Sequence, residues 1–135
     1  MALKTAVITI SAKGRDHGKI FHLTEKPAAV VEEFAMRVLF AALNAGAEIP
    51  DDVAQMGMAG LVQMGVKAFA LIPYEKLQPL FAEMMDCVMY QPDKTKPEIL
   101  RAPTFDGDIE EVGTRLLLRK EIFKLHTDFF TAAAA

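Results

Sequence analysis

The chain of 135 residues has 15 basic and 18 acidic side chains and a formal net charge of −3, with 52% apolar and 24% charged residues. These values exclude a mainly disordered chain, and the slightly acidic balance argues against a dedicated nucleic-acid binder, which carries a concentrated basic face. The length suits one domain that folds without a disulfide or metal, and the single cysteine, Cys87, favours a reducing compartment.

The sequence shows neither a targeting signal nor a membrane span. The N-terminus lacks the apolar core of a signal peptide. The longest weakly polar stretch, residues 56–73, is interrupted by Gln63, Lys67 and glycines, so it is too short and too broken to cross a bilayer. We therefore expect a cytoplasmic protein with no membrane partner.

Two short segments near the N-terminus have the composition of β-strands. Residues 5–10 are rich in β-branched side chains, residues 20–24 (Ile-Phe-His-Leu-Thr) have the pattern of a second strand, and the glycine-containing loop of residues 12–19 separates them. Such a pattern predicts a β-hairpin with an irregular connection. Because a lone hairpin is marginal in water, we expect it to pack on the rest of the chain.

The first long helix is predicted to start between Thr24 and Pro27 and to continue over residues 28–44. Pro27 suits the start of a helix, apolar residues then recur at three- and four-residue steps, and Gly46 provides a stop signal. Phe40 and Leu43 are among the residues that extend the apolar surface round most of the helix. Such a surface is typical of a central helix or of a helix in an oligomer interface.

Further helices are predicted over residues 53–71, from Tyr74 to about Asp86, and from Asp108 as N-cap to about Asp128. Glycines divide the first of these regions into two shorter helices or one loosely broken helix. Pro79 marks either a kink or the true first turn of the second. A small second hairpin is a candidate between residues 87–90 and 98–101.

We therefore predict an α+β fold that is mostly α-helical, in which the N-terminal β-hairpin packs on a bundle of about four to five helices. The predicted single domain covers residues 1–130. An alanine-rich tail, residues 131–135, is expected to fray.

Residues 14–19, Gly-Arg-Asp-His-Gly-Lys, have a superficial similarity to a phosphate-binding loop. The spacing is short by one residue, and Ile20 stands where Ser or Thr would bind magnesium. A predicted strand also follows, whereas phosphate binding needs the N-terminus of a helix. We interpret the segment as a hairpin loop.

Other candidate sites have simpler structural explanations. The acidic residues Asp106, Asp108, Glu110 and Glu111 lack the spacing of a calcium loop and fit helix capping. The three histidines lie too far apart to suggest zinc, and Cys87 has no nucleophile signature around it. We predict no catalytic, cofactor-binding or metal-binding residue, and no cofactor.

Methionine and phenylalanine are the better candidates for function. Thioethers suit adaptable binding surfaces as well as irregular cores, and adjacent aromatic residues near a chain end can anchor a partner. The predicted partner contacts are Met84, Met85, Phe123, Phe129 and Phe130. Core filling by the methionines and docking of the C-terminal segment on its own domain are the alternatives.

Several phrases of the sequence are typical of one family. They are Gly-Arg-Asp-His-Gly-Lys-Ile-Phe (14–21), Asn-Ala-Gly-Ala-Glu-Ile-Pro (44–50), Gly-Met-Ala-Gly-Leu (57–61), Glu-Met-Met-Asp-Cys-Val (83–88), Asp-Ile-Glu-Glu-Val-Gly-Thr-Arg-Leu (108–116) and Phe-Lys-Leu-His (123–126). Together they resemble small tail assembly chaperones of long-tailed bacteriophages and prophages, over most of the chain.

The resemblance implies a protein that is not an enzyme and has no catalytic residues to transfer. Such chaperones coat the long, helical, aggregation-prone tape measure protein while tail-tube subunits polymerise around it, and they are then displaced. Tape measure and tail-tube proteins are thus the implied partners, in the cytoplasm of the bacterial host, and a homo-oligomer is expected. Many members also have a longer form that is made by ribosomal frameshifting.

Two other functions are kept as alternatives. A structural tail component of similar fold would stay in the virion. A small enzyme or ligand-binding domain would need a concave polar site, which the sequence does not indicate.

Overall fold

The computed structural model describes residues 3–46, 70–104 and 107–134, with side chains up to residue 127. This part of the chain forms three strands, three α-helices and one short 3-10 helix, which confirms the predicted α+β class. The chain divides into two compact units, one of Met1–Glu25 with Met84–His126 and one of Lys26–Glu83 with Thr127–Ala135. The single domain predicted for residues 1–130 stays a prediction.

The first unit contains a three-stranded antiparallel sheet with the strand order β1-β2-β3. The strands are β1 (Thr5–Thr9), β2 (Ile20–Thr24) and β3 (Val88–Gln91). Pairing of β1 with β2 confirms the predicted N-terminal hairpin, and β3 adds to its other side. Gly18 has a φ of +83° in the connecting loop, a conformation that favours glycine.

The second hairpin predicted between residues 87–90 and 98–101 is present only as a single β-bridge. Tyr90 and Arg101 exchange two backbone hydrogen bonds of 2.7 and 3.0 Å, and the bridge does not extend to neighbouring residues. The principal partner of β3 is instead β2, with Phe21 opposite Tyr90 and Leu23 opposite Val88. This pairing lets the apolar side chains of both strands share one buried face.

The C-terminal helix covers that face of the sheet. This helix, Val112–Ala134, is called α3 here. Leu118 and Ile122 lie one turn apart and join Phe21, Leu23 and Val88 in one buried apolar cluster. The backbone stays helical beyond the predicted end near Asp128, consistent with the high helix propensity of the alanines.

The second unit is built on two helices. They are α1 (Ala28–Asn44) and α2 (Tyr74–Met84). Helix α1 ends at Asn44 as predicted, but it begins at Ala28, after the start predicted between Thr24 and Pro27. Val38 and Ala42 of α1 are buried in one cluster with Ile72 and with Leu80 of α2. Pro79 lies inside α2, which continues through it from Tyr74, and a 3-10 helix, Met85–Cys87, follows.

The predicted bundle of about four to five helices is not seen, because the described residues hold three α-helices in two units. Most of the helix or helices predicted over residues 53–71, residues 53–69, lies outside the described residues, and a turn follows at Leu71.

Leu118 gives a direct test of the packing of α3 on the sheet, because its side chain is 0% exposed. We expect Leu118→Ala to lower the free energy of unfolding by about 3 kcal/mol, through lost burial and the cavity left behind. The control is Leu116→Ala on the same helix, where the side chain is 59% exposed and the expected change is below about 0.5 kcal/mol. Chemical denaturation of both variants measures the difference, and equal losses would contradict this packing.

Candidate functional site: a buried carboxylate and an exposed apolar face

Among the described residues of the first unit, the most buried polar side chain is that of Asp16, which is 1% exposed. Its two oxygens accept hydrogen bonds from the backbone N–H of Glu110 at 3.0 Å and of Glu111 at 2.9 Å. The Thr114 hydroxyl donates at 2.6 Å and the Lys19 ammonium at 2.9 Å. The β1–β2 loop thus supplies a carboxylate to the N-terminus of α3, where unpaired N–H groups and the helix dipole favour a negative charge.

The contact is reciprocal. The Glu111 carboxylate accepts a hydrogen bond from the backbone N–H of Asp16 at 3.3 Å. A Cβ at Gly14 would collide with that carboxylate, so glycine permits the close approach. Lys19 also donates to the backbone carbonyl of Asp108 at 2.8 Å. The hydrogen bonds in both directions join the β1–β2 loop to the residues at the start of α3, although the two segments are distant in the chain.

Burial by itself would raise the pKa of Asp16. The hydrogen bonds from Thr114, Glu110, Lys19 and Glu111 outweigh burial and lower the pKa from 3.8 to about 2. The group therefore stays ionised at neutral pH and is a poor proton acceptor. These contacts give Asp16 a structural role, because its oxygens are already used to hold the loop against the helix.

The predicted role of Asp108 as the helix cap is wrong. The Arg101 guanidinium binds both Asp108 carboxylate oxygens, at 2.6 and 2.9 Å, and the Thr104 N–H donates to one of them at 2.7 Å. The hydrogen bonds from Arg101 are the main reason that the pKa of Asp108 falls to about 2. Since Asp108 is held by Arg101, α3 begins later, at Val112, and Asp16 provides the cap.

The histidines also have structural partners. The Nδ1 atoms of His17 and His126 lie 3.2 Å from the Ser11 carbonyl and 2.7 Å from the Ile122 carbonyl. His22 Nε2 lies 2.6 Å from Oε1 of Gln91. Cys87 is buried. Among the residues that the structure describes, no group of three or more His, Cys, Asp or Glu side chains is placed to hold a metal ion.

The predicted partner contacts fall in different environments. Met85 is 3% exposed, so its side chain is part of the core and is not a surface contact in this structure. Met84 is partly buried against the same cluster, and Phe123 is half-buried. Phe129 and Phe130 lie on α3, and their side chains are outside the described residues. Core filling, the alternative for the methionines, describes Met85.

The structure instead places an exposed apolar surface on α1. Met36, Phe40 and Leu43 are 42%, 55% and 40% exposed. Their spacing of four and three residues puts them on one helical face, and Val38 and Ala42 are buried on the opposite side. We call these three residues the α1 stripe. The sequence indicates such a surface, because apolar residues surround most of the helix. Residue type alone instead favoured methionines and phenylalanines in other parts of the chain.

Comparison of the chain with protein-family models, with curated proteins and with solved structures finds no match. Within the part of the chain that the structure describes, no helix combines the length and the apolar character needed to cross a membrane.

Asp16→Asn tests whether the buried carboxylate holds the loop against α3. The amide keeps the shape but turns one acceptor into a donor that faces other donors, so we expect the free energy of unfolding to fall by about 3 kcal/mol. Asp86→Asn is the matched control, because Asp86 is exposed. Urea denaturation followed by far-UV circular dichroism measures both variants, and equal stability of the two would refute this role.

The low pKa values of Asp16 and Asp108 predict acid sensitivity. Each falls from 3.8 to about 2, so the folded state gains stability from ionisation above pH 3.8 and loses it as the pH falls through about 2. The contribution of each group is about 2 kcal/mol at neutral pH. We therefore expect the difference in stability between the wild type and Asp16→Asn to shrink between pH 4 and about pH 2. A difference that is the same at both ends of this range would contradict the account.

Proposed function

We propose that the chain is a non-enzymatic tail assembly chaperone of a long-tailed bacteriophage or prophage. In this proposal it acts in the bacterial cytoplasm, binds the tape measure protein and helps to recruit tail-tube subunits. The resemblance of the sequence along most of its length supports the family. The α1 stripe is the structural observation that supports client binding.

The stripe suits a helical client for chemical reasons. Its thioether and aromatic side chains adapt to different apolar partners. A spacing of one helical turn between contacts matches the apolar face of a second helix laid along α1. The tape measure protein of such phages is long and helical, so the same small surface on many chaperone copies can bind it repeatedly, which raises the overall affinity by avidity.

Charged side chains beside the α1 stripe are held in place by ion pairs. Arg37 binds Glu83 of α2 at 2.7 Å and lies 3.9 Å from Glu33, both within the second unit. The hydrogen bond from Arg37 lowers the pKa of Glu83. In protein interfaces an apolar core is usually surrounded by a polar rim, and the α1 stripe with its neighbouring charged groups has this arrangement. This arrangement favours binding of a partner over nonspecific aggregation.

The test is co-expression of the chain with the tape measure protein of the same phage or prophage, followed by affinity pull-down and size-exclusion chromatography. We expect a soluble complex with the wild type. For the triple variant Met36→Ser, Phe40→Ser, Leu43→Ser we expect at least a tenfold loss of co-eluting tape measure protein, which is about the effect of losing one hot-spot contact.

The control removes three other exposed apolar side chains, with the substitutions Ile99→Ser, Val112→Ser and Leu116→Ser. It should bind like the wild type. Circular dichroism must show that both triple variants are folded. Undiminished binding by a folded stripe variant would refute the stripe as the client surface, and no complex with the wild type would refute the proposed function itself.

A further inference from the structure

Strand β1 lies at the edge of the sheet, and only β2 pairs with it among the residues that the structure describes. All five residues of β1 are uncharged, none is proline, and four are β-branched, namely Thr5, Val7, Ile8 and Thr9. Natural edge strands are usually protected by charge, by proline or by a bulge, because an open edge binds other strands. The edge of β1 has none of these protections within Thr5–Thr9.

The cation that precedes the strand does not protect it either. The Lys4 ammonium lies 3.8 Å from the Glu25 carboxylate, and the Lys4 N–H donates to the same side chain at 2.8 Å. The Lys4 charge is therefore paired with Glu25, which follows the end of β2. The Lys4 carbonyl also accepts a backbone hydrogen bond from the Glu25 N–H at 2.9 Å.

The hydrogen bonds at the two ends of β1 show which backbone groups face outwards. Lys4 bonds to Glu25, and the Ile10 N–H donates to the Lys19 carbonyl at 2.9 Å. In an antiparallel ladder every second residue bonds to the same neighbour. Even-numbered residues of this stretch therefore face β2, and odd-numbered residues direct their N–H and C=O groups to the open edge.

The outward residues are thus Thr5, Val7 and Thr9, and all three are exposed, Val7 by 59%. They are symmetric about Val7, with threonine on each side at the same distance. An antiparallel strand of the same sequence places Thr5 opposite Thr9 and Val7 opposite Val7. Every outward group then meets an outward group, so the three pairs form about six backbone hydrogen bonds. Threonine pairs across strands are also favourable.

We propose that two copies of this chain associate through β1, antiparallel and centred on Val7, to form one continuous six-stranded sheet. The occupant is a second copy because the strand is complementary to itself in hydrogen bonding and side-chain type and brings no like charges together. On the inner face, Ala6 and Ile8, which pack against the core of their own chain, come beside their symmetry mates. This gives the closed two-fold contact that is commonest in homo-oligomers.

The proposal does not depend on the proposed function, and the purified chain tests it. The first variant is Val7→Pro, which removes an outward N–H but no hydrogen bond to β2 and is tolerated at a sheet edge. Val7→Thr, which keeps the N–H and the β-branched shape, is the control. Analytical ultracentrifugation over a concentration series should show a dimer for the wild type and Val7→Thr, and a dissociation constant raised at least tenfold for Val7→Pro, as expected for the loss of central interchain hydrogen bonds.

Cysteine cross-linking gives a second measurement that does not depend on tolerance of proline. In the symmetric pair the two Val7 Cα atoms lie about 5.5 Å apart, within reach of a disulfide. The two Thr9 Cα atoms lie about 14 Å apart, beyond reach. Val7→Cys should therefore form at least tenfold more disulfide-linked dimer than Thr9→Cys under mild oxidation. The native Cys87 is buried and does not compete.

A wild-type chain that stays monomeric throughout the concentration series would overturn the proposal. So would a dimer that survives in folded Val7→Pro, or equal cross-linking of Val7→Cys and Thr9→Cys, since either result would place the contact elsewhere or in another register. If the chain is monomeric and Val7→Pro instead abolishes binding to the tape measure protein, the edge accepts a client strand and self-pairing is wrong.

Discussion

The first unit depends on one carboxylate that is removed from water and shared between two distant segments. Asp16 accepts from the backbone at the start of α3, from the Thr114 hydroxyl and from the Lys19 ammonium. A buried, unpaired charge would cost several kcal/mol, so the arrangement is stable only because every donor is present at once. The hairpin loop and the helix thereby fix each other, and α3 is held in position for Leu118 and Ile122 to cover the sheet.

Local features of the fold could be predicted from the sequence. Strands β1 and β2 follow from two short strand-like segments around a glycine-containing loop, and α1 follows from Pro27, its apolar period and Gly46. Contacts between distant segments could not be predicted from the sequence. The residue that caps α3 lies 94 positions from Glu110, whereas the nearby Asp108 fits every local rule for a cap. Arg101 decides the matter by binding Asp108, and single-sequence rules do not reveal that contact.

The same distinction explains the candidate surfaces. Residue type alone does not separate core from surface, and Met85 is in the core because the apolar side chains of β2 and α3 enclose it. The α1 stripe and the β1 edge are surfaces of different chemistry. The stripe offers side chains to an apolar helix, whereas the edge offers backbone groups to another strand. A chaperone that binds a long client repeatedly needs one surface for the client and one for its own copies, and these two surfaces match those needs.

We propose that the chain acts during tail assembly and leaves before the particle is complete. The most direct measurement is quantitative mass spectrometry of the chain in tail assembly intermediates and in purified virions of the same phage or induced prophage. The account predicts that the chain accompanies the tape measure protein in the intermediates and is absent from the virions. A fixed number of copies in finished virions would contradict it and would identify a structural tail component.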